Sequence, residues 1–495
     1  VLFHSFAFLF AFLPAAWLGT RILAGWNRGA VAWLLACSLF FYAYWRTDHL
    51  WIILASIGGN FVFGHLIIRS RGRPRKLAFM AGVTLDLAVL GWFKYRDFAE
   101  AVINLGWQSL SGSYINPDLP IGISFFTFTQ IAFLADCTRR AVTGYGLIEY
   151  GLFVTVFPHL LAGPIIHHGQ VVPQFAALGR RLTGRLYAAR WLAPGLALLL
   201  VGLIKKIVLG DSLGVYADDA FATAPDEVVG FVSAWGGVMA YSLQIYFDFS
   251  GYSDMAIGIG MLLGIRLPAN FLSPYQAGSM IEFWRRWHIT LSTFLRDYLY
   301  IPLGGGRCGS FRRYLNLLAT MLLGGLWHGA NWTFLAWGAI HGTALAINHG
   351  WHSLGAGRLP RGLGWGLTLA VVVAAWVPFR APDLETTLRF WAAMIGANGI
   401  VLPAGLIAML GPVAPALGME GGAIGRFGGG GQVATVAVAA LIALAAPNSM
   451  VLADRRRGPR LLRSRWLPLA LGAGTALALL LIGVRTASTF LYFQF

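Results

Sequence analysis

Two histidines hold the residue types best suited to chemistry in this chain. One stands in Glu282-Phe-Trp-Arg-Arg-Trp-His288-Ile-Thr-Leu-Ser292-Thr-Phe-Leu-Arg296-Asp297, the other in Gly324-Gly-Leu-Trp327-His328-Gly329. A neutral imidazole accepts a proton from a hydroxyl and returns it to a leaving group, which suits acyl transfer. Both lie among apolar runs, where ionisable groups are costly and point by default to function.

The elements that must position them can be read from periodicity. Placed on one helix at 100° per residue, Glu282 to Ile301 separates into two arcs. Phe283, Trp284, Trp287, Leu291, Phe294, Leu295 and Tyr298 share one arc; Glu282, Arg285, Arg286, Ser292, Thr293, Arg296 and Asp297 share the other. His288 falls on the border, in a stripe with Arg285, Ser292 and Arg296, expected to line a polar path and contact substrate. The alternative is an amphipathic helix lying flat among headgroups, with His288 bonded to a neighbouring carbonyl. Glu282 with Arg285 and Arg286 reads as an intrahelical ion pair.

Tyr314 to Gly350 contains no Asp, Glu, Lys or Arg, yet it carries His328, His341 and His349. The run is too long for one crossing and slightly short for two. A break is expected where Gly324, Gly325 and Gly329 surround Trp327-His328, because irregular backbone within a membrane survives only when buried or lining a cavity. His328 then faces a cavity as a general base, with a histidine bonded across helices as the structural alternative. Trp327 is expected to line the substrate path, and Asn331 to orient an imidazole or contact an acyl carbonyl. On a continuous helix His341 lies about 220° around from His328, which makes it a packing residue.

Composition supplies the setting. The chain is 57% hydrophobic and 12% charged, with mean hydropathy +0.66, far from a soluble protein of its length. Apolar runs recur throughout, and we expect an all-α polytopic membrane protein with about 11 to 13 crossings plus re-entrant or interfacial helices. Residues 1–495 read as a single membrane domain, and the first apolar run as a retained span and not a removed signal. The net charge of +17 comes from clusters between apolar runs: Arg69, Arg71, Arg73, Arg75 and Lys76; Arg180, Arg181, Arg185 and Arg190; Arg455, Arg456, Arg457, Arg460, Arg463 and Arg465. That pattern marks cytoplasmic loops facing anionic lipids, with a phosphorylated cytoplasmic substrate as second choice and nucleic acid excluded as partner. Cys37, Cys137 and Cys308 lack metal-ligand spacing, so neither disulfide frame nor metal site is expected. Phosphate-loop, nucleophile-elbow and zinc-protease words are absent.

Other polar words interrupt the apolar runs. In Gln244-Ile-Tyr-Phe-Asp248-Phe-Ser-Gly-Tyr-Ser-Asp254 the two carboxylates read as flanking a helix turn, capping helices or pairing with the 285–296 arginines. Pro120-Ile-Gly-Ile-Ser124-Phe-Phe-Thr-Phe and Phe157-Pro-His159-Leu-Leu-Ala-Gly-Pro164 read as bends along a tunnel, and the glycine-rich Gly418 to Gly431 as a loop.

Those words, with Lys205-Lys206, Asp211, Phe283-Trp-Arg-Arg-Trp-His-Ile, Leu295-Arg-Asp-Tyr-Leu-Tyr-Ile-Pro-Leu-Gly-Gly305, Leu326-Trp-His-Gly-Ala330 and the ending Phe490-Leu-Tyr-Phe-Gln-Phe495, resemble the membrane-bound O-acyltransferase family, in its alginate O-acetylation branch. The signature core spans about 119–350, and the match loosens over 381–495. The resemblance implies a helical membrane fold around a tunnel, with the histidine of the Trp-His-Gly word, here His328, as catalytic residue and His288 as the second signature position. His159 and Ile165-Ile166-His167-His168 depart from the branch's pattern, which bears on acceptor or partner preference.

The reading that follows is an O-acetyltransferase of the bacterial inner membrane. It takes acetyl from a cytoplasmic thioester, acetyl-coenzyme A, toward an exopolysaccharide hydroxyl, by way of a periplasmic acetyltransferase in the resembled branch, with no permanently bound cofactor. His328 is the base, and His288, Arg285 and Asn331 align the acyl group or stabilise its oxyanion. The rival is a transporter or channel that uses the histidines as a relay; a scaffold for a polysaccharide synthase leaves them without purpose.

Overall fold

Helix follows helix in the computed structural model, which describes every residue except 1, 107–109, 111, 113–118, 140, 143–144, 223–226, 356, 358, 403, 417, 423–426, 428, 455–463, 486–490 and 492–495, and backbone alone at 404–406. The arginine cluster from 455 to 463, the ending from 490 apart from Leu491, and part of the glycine-rich stretch lie outside the described residues.

The chain opens with α1 (Leu13–Ile22), α2 (Asn27–Ala43), α3 (Leu50–Arg69) and α4 (Gly72–Leu90), the last continuing through a π turn at Gly91–Tyr95 into α5 (Arg96–Leu105). Then come α6 (Ile123–Thr138), α7 (Leu147–Thr155), α8 (Phe157–Leu160), α9 (His168–Phe175) and α10 (Leu178–Thr183). α11 (Ala193–Ile204) runs through a second π turn, Lys205–Gly210, into α12 (Asp211–Phe221), and α13 (Phe231–Leu262) follows. Next come α14 (Met280–Arg286), α15 (Ile289–Leu295), α16 (Ser310–His328), α17 (Trp332–Ser353), α18 (Arg361–Arg380) and α19 (Leu384–Met394); Gly430–Ala445 and Trp466–Val484 are further helices. The one sheet among the described residues pairs Ile400–Leu402 with Met419–Gly421 in parallel.

Among the described residues, six helical segments are long and apolar enough to cross a membrane: Phe8–Gly25, Thr47–Arg69, Gly72–Leu105, Ala188–Phe221, Arg361–Arg380 and Trp466–Val484. That is fewer than the eleven to thirteen crossings expected from the apolar runs. Some runs make helices that are apolar but short, such as the 16-residue α6. Others make long helices that carry polar groups, such as α13 and α17. Two expected spans, 228–247 and 251–268, are one 32-residue helix, α13.

α13 is the central post. From Tyr241 to Ile265 every residue except Gln244 is buried. α11 lies against it through glycines: a Cβ on Gly258 would sit 2.6 Å from the Gly195 carbonyl, and one on Gly251 2.8 Å from that of Gly202. Small residues of this kind let helix backbones approach closely within a membrane. Asp248 and Asp254 therefore flank no turn. Nor do they pair with the 285–296 arginines: Asp254 holds Lys205 at 2.7 Å, while Lys206 bridges Asp248 at 2.5 Å and Asp211 at 2.6 Å. A buried cation between two carboxylates ties the α11–α12 junction to α13, and removing one partner leaves an uncompensated charge.

Some of the basic residues credited to lipid also do structural work. Arg75 donates to the carbonyls of Cys137, at 3.1 Å, and Thr138, closing the C-terminus of α6. Arg181 donates to the Gly264 carbonyl at 2.9 Å, just past the end of α13. Cationic side chains at helix C-termini satisfy carbonyls that have no intrahelical partner.

Candidate active site

His328 is the last residue of α16, and the expected break is there. Gly329 leaves helical geometry at φ −159°, ψ 149°, and α17 begins three residues later. α16 and α17 make an antiparallel hairpin, with Tyr314 Oη 3.2 Å from Ser353 Oγ at its open end. Glycine makes the close crossing feasible: a Cβ on Gly325 would collide with the Phe334 carbonyl, and one on Gly338 with the Met321 carbonyl.

The break exposes carbonyls that a continuous helix would have satisfied, and an element far away in sequence captures them. Lys94 donates to the Trp327 carbonyl at 2.6 Å and to the His328 carbonyl at 3.0 Å, with Ser124 Oγ as its third contact at 3.3 Å. Tyr95 Oη donates to the Leu326 carbonyl at 3.0 Å. Both residues come from the π turn after α4. Neither Lys94 nor Tyr95 emerged as a site residue from the sequence; the available signal was that, within the apolar run 77–95, Lys94 and Asp86 are the only charged residues.

The His328 imidazole is buried among aromatic rings, with centroids 4.9 Å from Trp327, 5.1 Å from Trp337 and 5.1 Å from Phe379. Trp327 is the shared wall: its ring lies 6.3 Å from that of His288, and its Nε1 faces the Ser124 carbonyl at 3.4 Å. The fold thus brings together His328, His288 and Trp327 from the sequence-predicted set.

His288 sits at a break that the sequence did not announce. The expected continuous helix over 282–301 is two helices, α14 and α15, and His288 between them is left-handed at φ 41°, ψ 54°. The segment 270–272 imposes this by pairing across the gap: Leu272 N–H donates to the Arg286 carbonyl and Ile289 N–H to the Asn270 carbonyl, each at 3.0 Å. The Asn270 side chain completes the clamp. Its Oδ1 accepts from Thr290 Oγ1 at 2.9 Å and Thr290 N–H at 3.3 Å, and its Nδ2 donates to Ser253 Oγ at 3.1 Å. With Oδ1 oriented by that backbone N–H, His288 Nδ1, 3.2 Å away, is the protonated nitrogen and Nε2 carries the lone pair. Asn270 is a site residue without a sequence signal, since it lies in an irregular segment.

The two helices also scatter the stripe. Arg285 and Arg296 are exposed, Arg296 paired with Asp297 at 2.6 Å, and Ser292 Oγ donates to the Trp287 carbonyl at 3.3 Å. The structure does not gather Arg285, Ser292 and Arg296 around buried His288, because the left-handed residue resets the helical phase. The expected intrahelical pair forms between Glu282 and Arg286 at 2.5 Å. Asn331 caps α17, accepting from Thr333 N–H at 3.3 Å and donating to the Pro382 carbonyl at 2.9 Å. His341 is indeed packed, with ring centroids 4.8 Å from Trp337 and 5.1 Å from Trp284, but it is not opposite His328. The break turns both histidines onto Trp337.

His159 is fully buried with Nε2 3.2 Å from the Val154 carbonyl, and His167 Nδ1 meets Tyr298 Oη at 3.1 Å. His168 packs 5.3 Å from Phe133. No cluster of three or more His, Cys, Asp or Glu side chains among the described residues could hold a metal ion.

The model of the membrane-bound O-acyltransferase family matches residues 119–356, and the chain belongs to that family; it is a multi-pass membrane O-acyltransferase. It is 39% identical over 434 residues to the peptidoglycan O-acetyltransferase of Helicobacter pylori, covering 81% of each chain. It is 43% identical over 407 residues to the probable alginate O-acetylase AlgI of Pseudomonas aeruginosa, covering 80% of this chain and 75% of the relative. A more distant relative is the teichoic acid D-alanyltransferase of Streptococcus thermophilus, 29% identical over 240 residues, 47% of this chain and 57% of the relative.

Proposed function

We propose that this enzyme moves an acetyl group from a cytoplasmic thioester, acetyl-coenzyme A, to a hydroxyl of a cell-envelope polysaccharide at the bacterial inner membrane. A periplasmic acetyltransferase serves as intermediate acceptor in this reading. Relatives named for O-acetylation of alginate and of peptidoglycan support the acceptor class. The observation that carries the assignment is His328: an imidazole at the broken end of an apolar hairpin, buried in a wall of aromatic rings that it shares with a second histidine.

In this reading the hydroxyl oxygen attacks the thioester carbonyl while His328 takes its proton. The tetrahedral oxyanion collapses, the carbon–sulfur bond breaks, and the imidazolium returns the proton to the departing thiolate, leaving an ester and free thiol. The oriented His288, whose ring lies 6.3 Å from that of Trp327, aligns the acyl group in this reading. Arg285, Arg296 and Asn331 have no part in these steps.

Purified enzyme in lipid, given labelled acetyl-coenzyme A and acceptor, tests the proposal. Wild type is expected to release free coenzyme A and label the acceptor, and His328→Ala to lose about a thousandfold or more of that turnover at unchanged thermal stability. Label crossing the bilayer with its thioester intact would favour transport; full turnover by His328→Ala would remove the base.

A further inference from the structure

We infer that Lys94 is a positioning residue of the active site, holding the helix end that carries His328 and placing a cationic group beside the reacting groups. The inference rests on the acyl-transfer reading given above. Lys94 is only 7% exposed, and burying an ammonium is costly unless its charge is compensated. Elsewhere in this chain the compensation is a carboxylate: Lys205 has Asp254, and Lys206 has Asp211 and Asp248. Lys94 instead meets three neutral oxygens, those of the Trp327 and His328 carbonyls and Ser124 Oγ, and among the described residues no carboxylate lies within ion-pair distance.

Geometry gives this charge two tasks. The carbonyls it holds are those of the last two residues of α16, so the backbone from which the His328 ring projects is pinned by the ammonium. The C-terminus of a helix also carries partial negative charge, which a cation offsets. The second task concerns the reaction. Attack on a thioester concentrates negative charge on the carbonyl oxygen and then on the sulfur, and a preorganised cation in a water-poor site favours that state far more than in water. A carboxylate partner would cancel most of the effect. Ser124 Oγ accepts from Lys94 at 3.3 Å, which leaves its own proton available to another acceptor.

Three substitutions separate the tasks. Lys94→Gln keeps amide donors for the carbonyls but removes the charge, Lys94→Arg keeps charge and donors, and Lys94→Met removes both. With labelled acetyl-coenzyme A and the full-length enzyme in lipid, Lys94→Gln and Lys94→Met are expected to lower kcat about 30- to 100-fold with KM for the donor within about twofold. Lys94→Arg is expected to retain kcat within about fivefold. Thermal unfolding in detergent, which does not depend on turnover, reports whether each variant is folded. Wild-type kcat in a folded Lys94→Gln would overturn the role of charge. Equal loss in all three variants, Lys94→Arg included, together with lowered unfolding temperatures, would reduce Lys94 to a structural cap and overturn the inference. A wild-type enzyme that cleaves no thioester would instead remove the acyl-transfer reading, and this inference with it.

Discussion

His288 and His328 both sit where a helix stops, and the two stops are built in opposite ways. At His328 the helix ends at glycines, and a distant lysine and tyrosine capture the backbone carbonyls of Leu326, Trp327 and His328. At His288 there is no glycine. A left-handed histidine, worth roughly 1–2 kcal/mol of strain, is held by backbone pairing with 270–272 and by the Asn270 amide. One break fixes a backbone; the other fixes a ring and its tautomer. In the proposed reaction the group that shuttles a proton and the group that holds a constant orientation would call for these two kinds of support.

The largest expected effect tests the glycine-built break. In Gly325→Ala the new Cβ would collide with the Phe334 carbonyl, a backbone atom of the facing helix that cannot rotate away. Overpacking of this kind costs about 1–3 kcal/mol or more, so the α16–α17 hairpin is expected to splay and the thermal unfolding temperature in detergent to fall sharply, with turnover lost. Gly58→Ala in α3, where nothing lies within 4 Å of the added atom, is the control and is expected to leave both unchanged or slightly raise stability. Equal stability in the two variants would mean that the close crossing is not what shapes the hairpin.

Next in size is the clamp on the other histidine. Asn270→Ala removes the acceptor at His288 Nδ1 and the partner of Thr290. Partners that orient metal-bound histidines are worth about 10- to 100-fold, and the Asn270 clamp on His288 is expected to matter on the same scale. We expect kcat to fall in that range while the protein stays folded, because the backbone pairs of Asn270 and Leu272 are unaffected. Unchanged kcat would show that the tautomer of His288 does not matter to the reaction.

The same contrast explains what could be read from the residues. The break at His328 was legible because glycines 324, 325 and 329 interrupt an uncharged run too long for one crossing, a local signal with a physical cause. The break at His288 was not: Trp287-His288-Ile289 contains no glycine or proline, the apolar arc continues through it, and the interruption is imposed by a segment 15 to 20 residues upstream. The Arg285, Ser292 and Arg296 stripe does not form for the same reason, since a helical phase carried across a break assigns faces that do not exist. Lys94 escaped for a different reason. Its role is defined by carbonyls more than 230 positions away, and neither spacing nor propensity records such a contact. Asp248 and Asp254 were visible as unusual groups, but the lysines that answer them stand some 40 to 50 residues earlier.

The smallest effect is expected at Asn331, where the structure and the sequence expectation assign different work. As a candidate to orient an imidazole or touch an acyl carbonyl, it should matter to kcat. As it stands in the fold it is the N-cap of α17, with its side-chain oxygen on Thr333 N–H and its amide on the Pro382 carbonyl. Replacing an asparagine cap by alanine costs about 1 kcal/mol. Asn331→Ala is therefore expected to lower the unfolding temperature by a few degrees and leave kcat within about threefold of wild type, while Asn331→Asp, which can still accept from Thr333 N–H, recovers part of the stability. If kcat instead fell a hundredfold at unchanged stability, Asn331 would belong with the histidines. The hairpin tip would then contact substrate through its cap as well as through the ring of His328, and the division between a pinned backbone and an oriented side chain would no longer follow the two breaks.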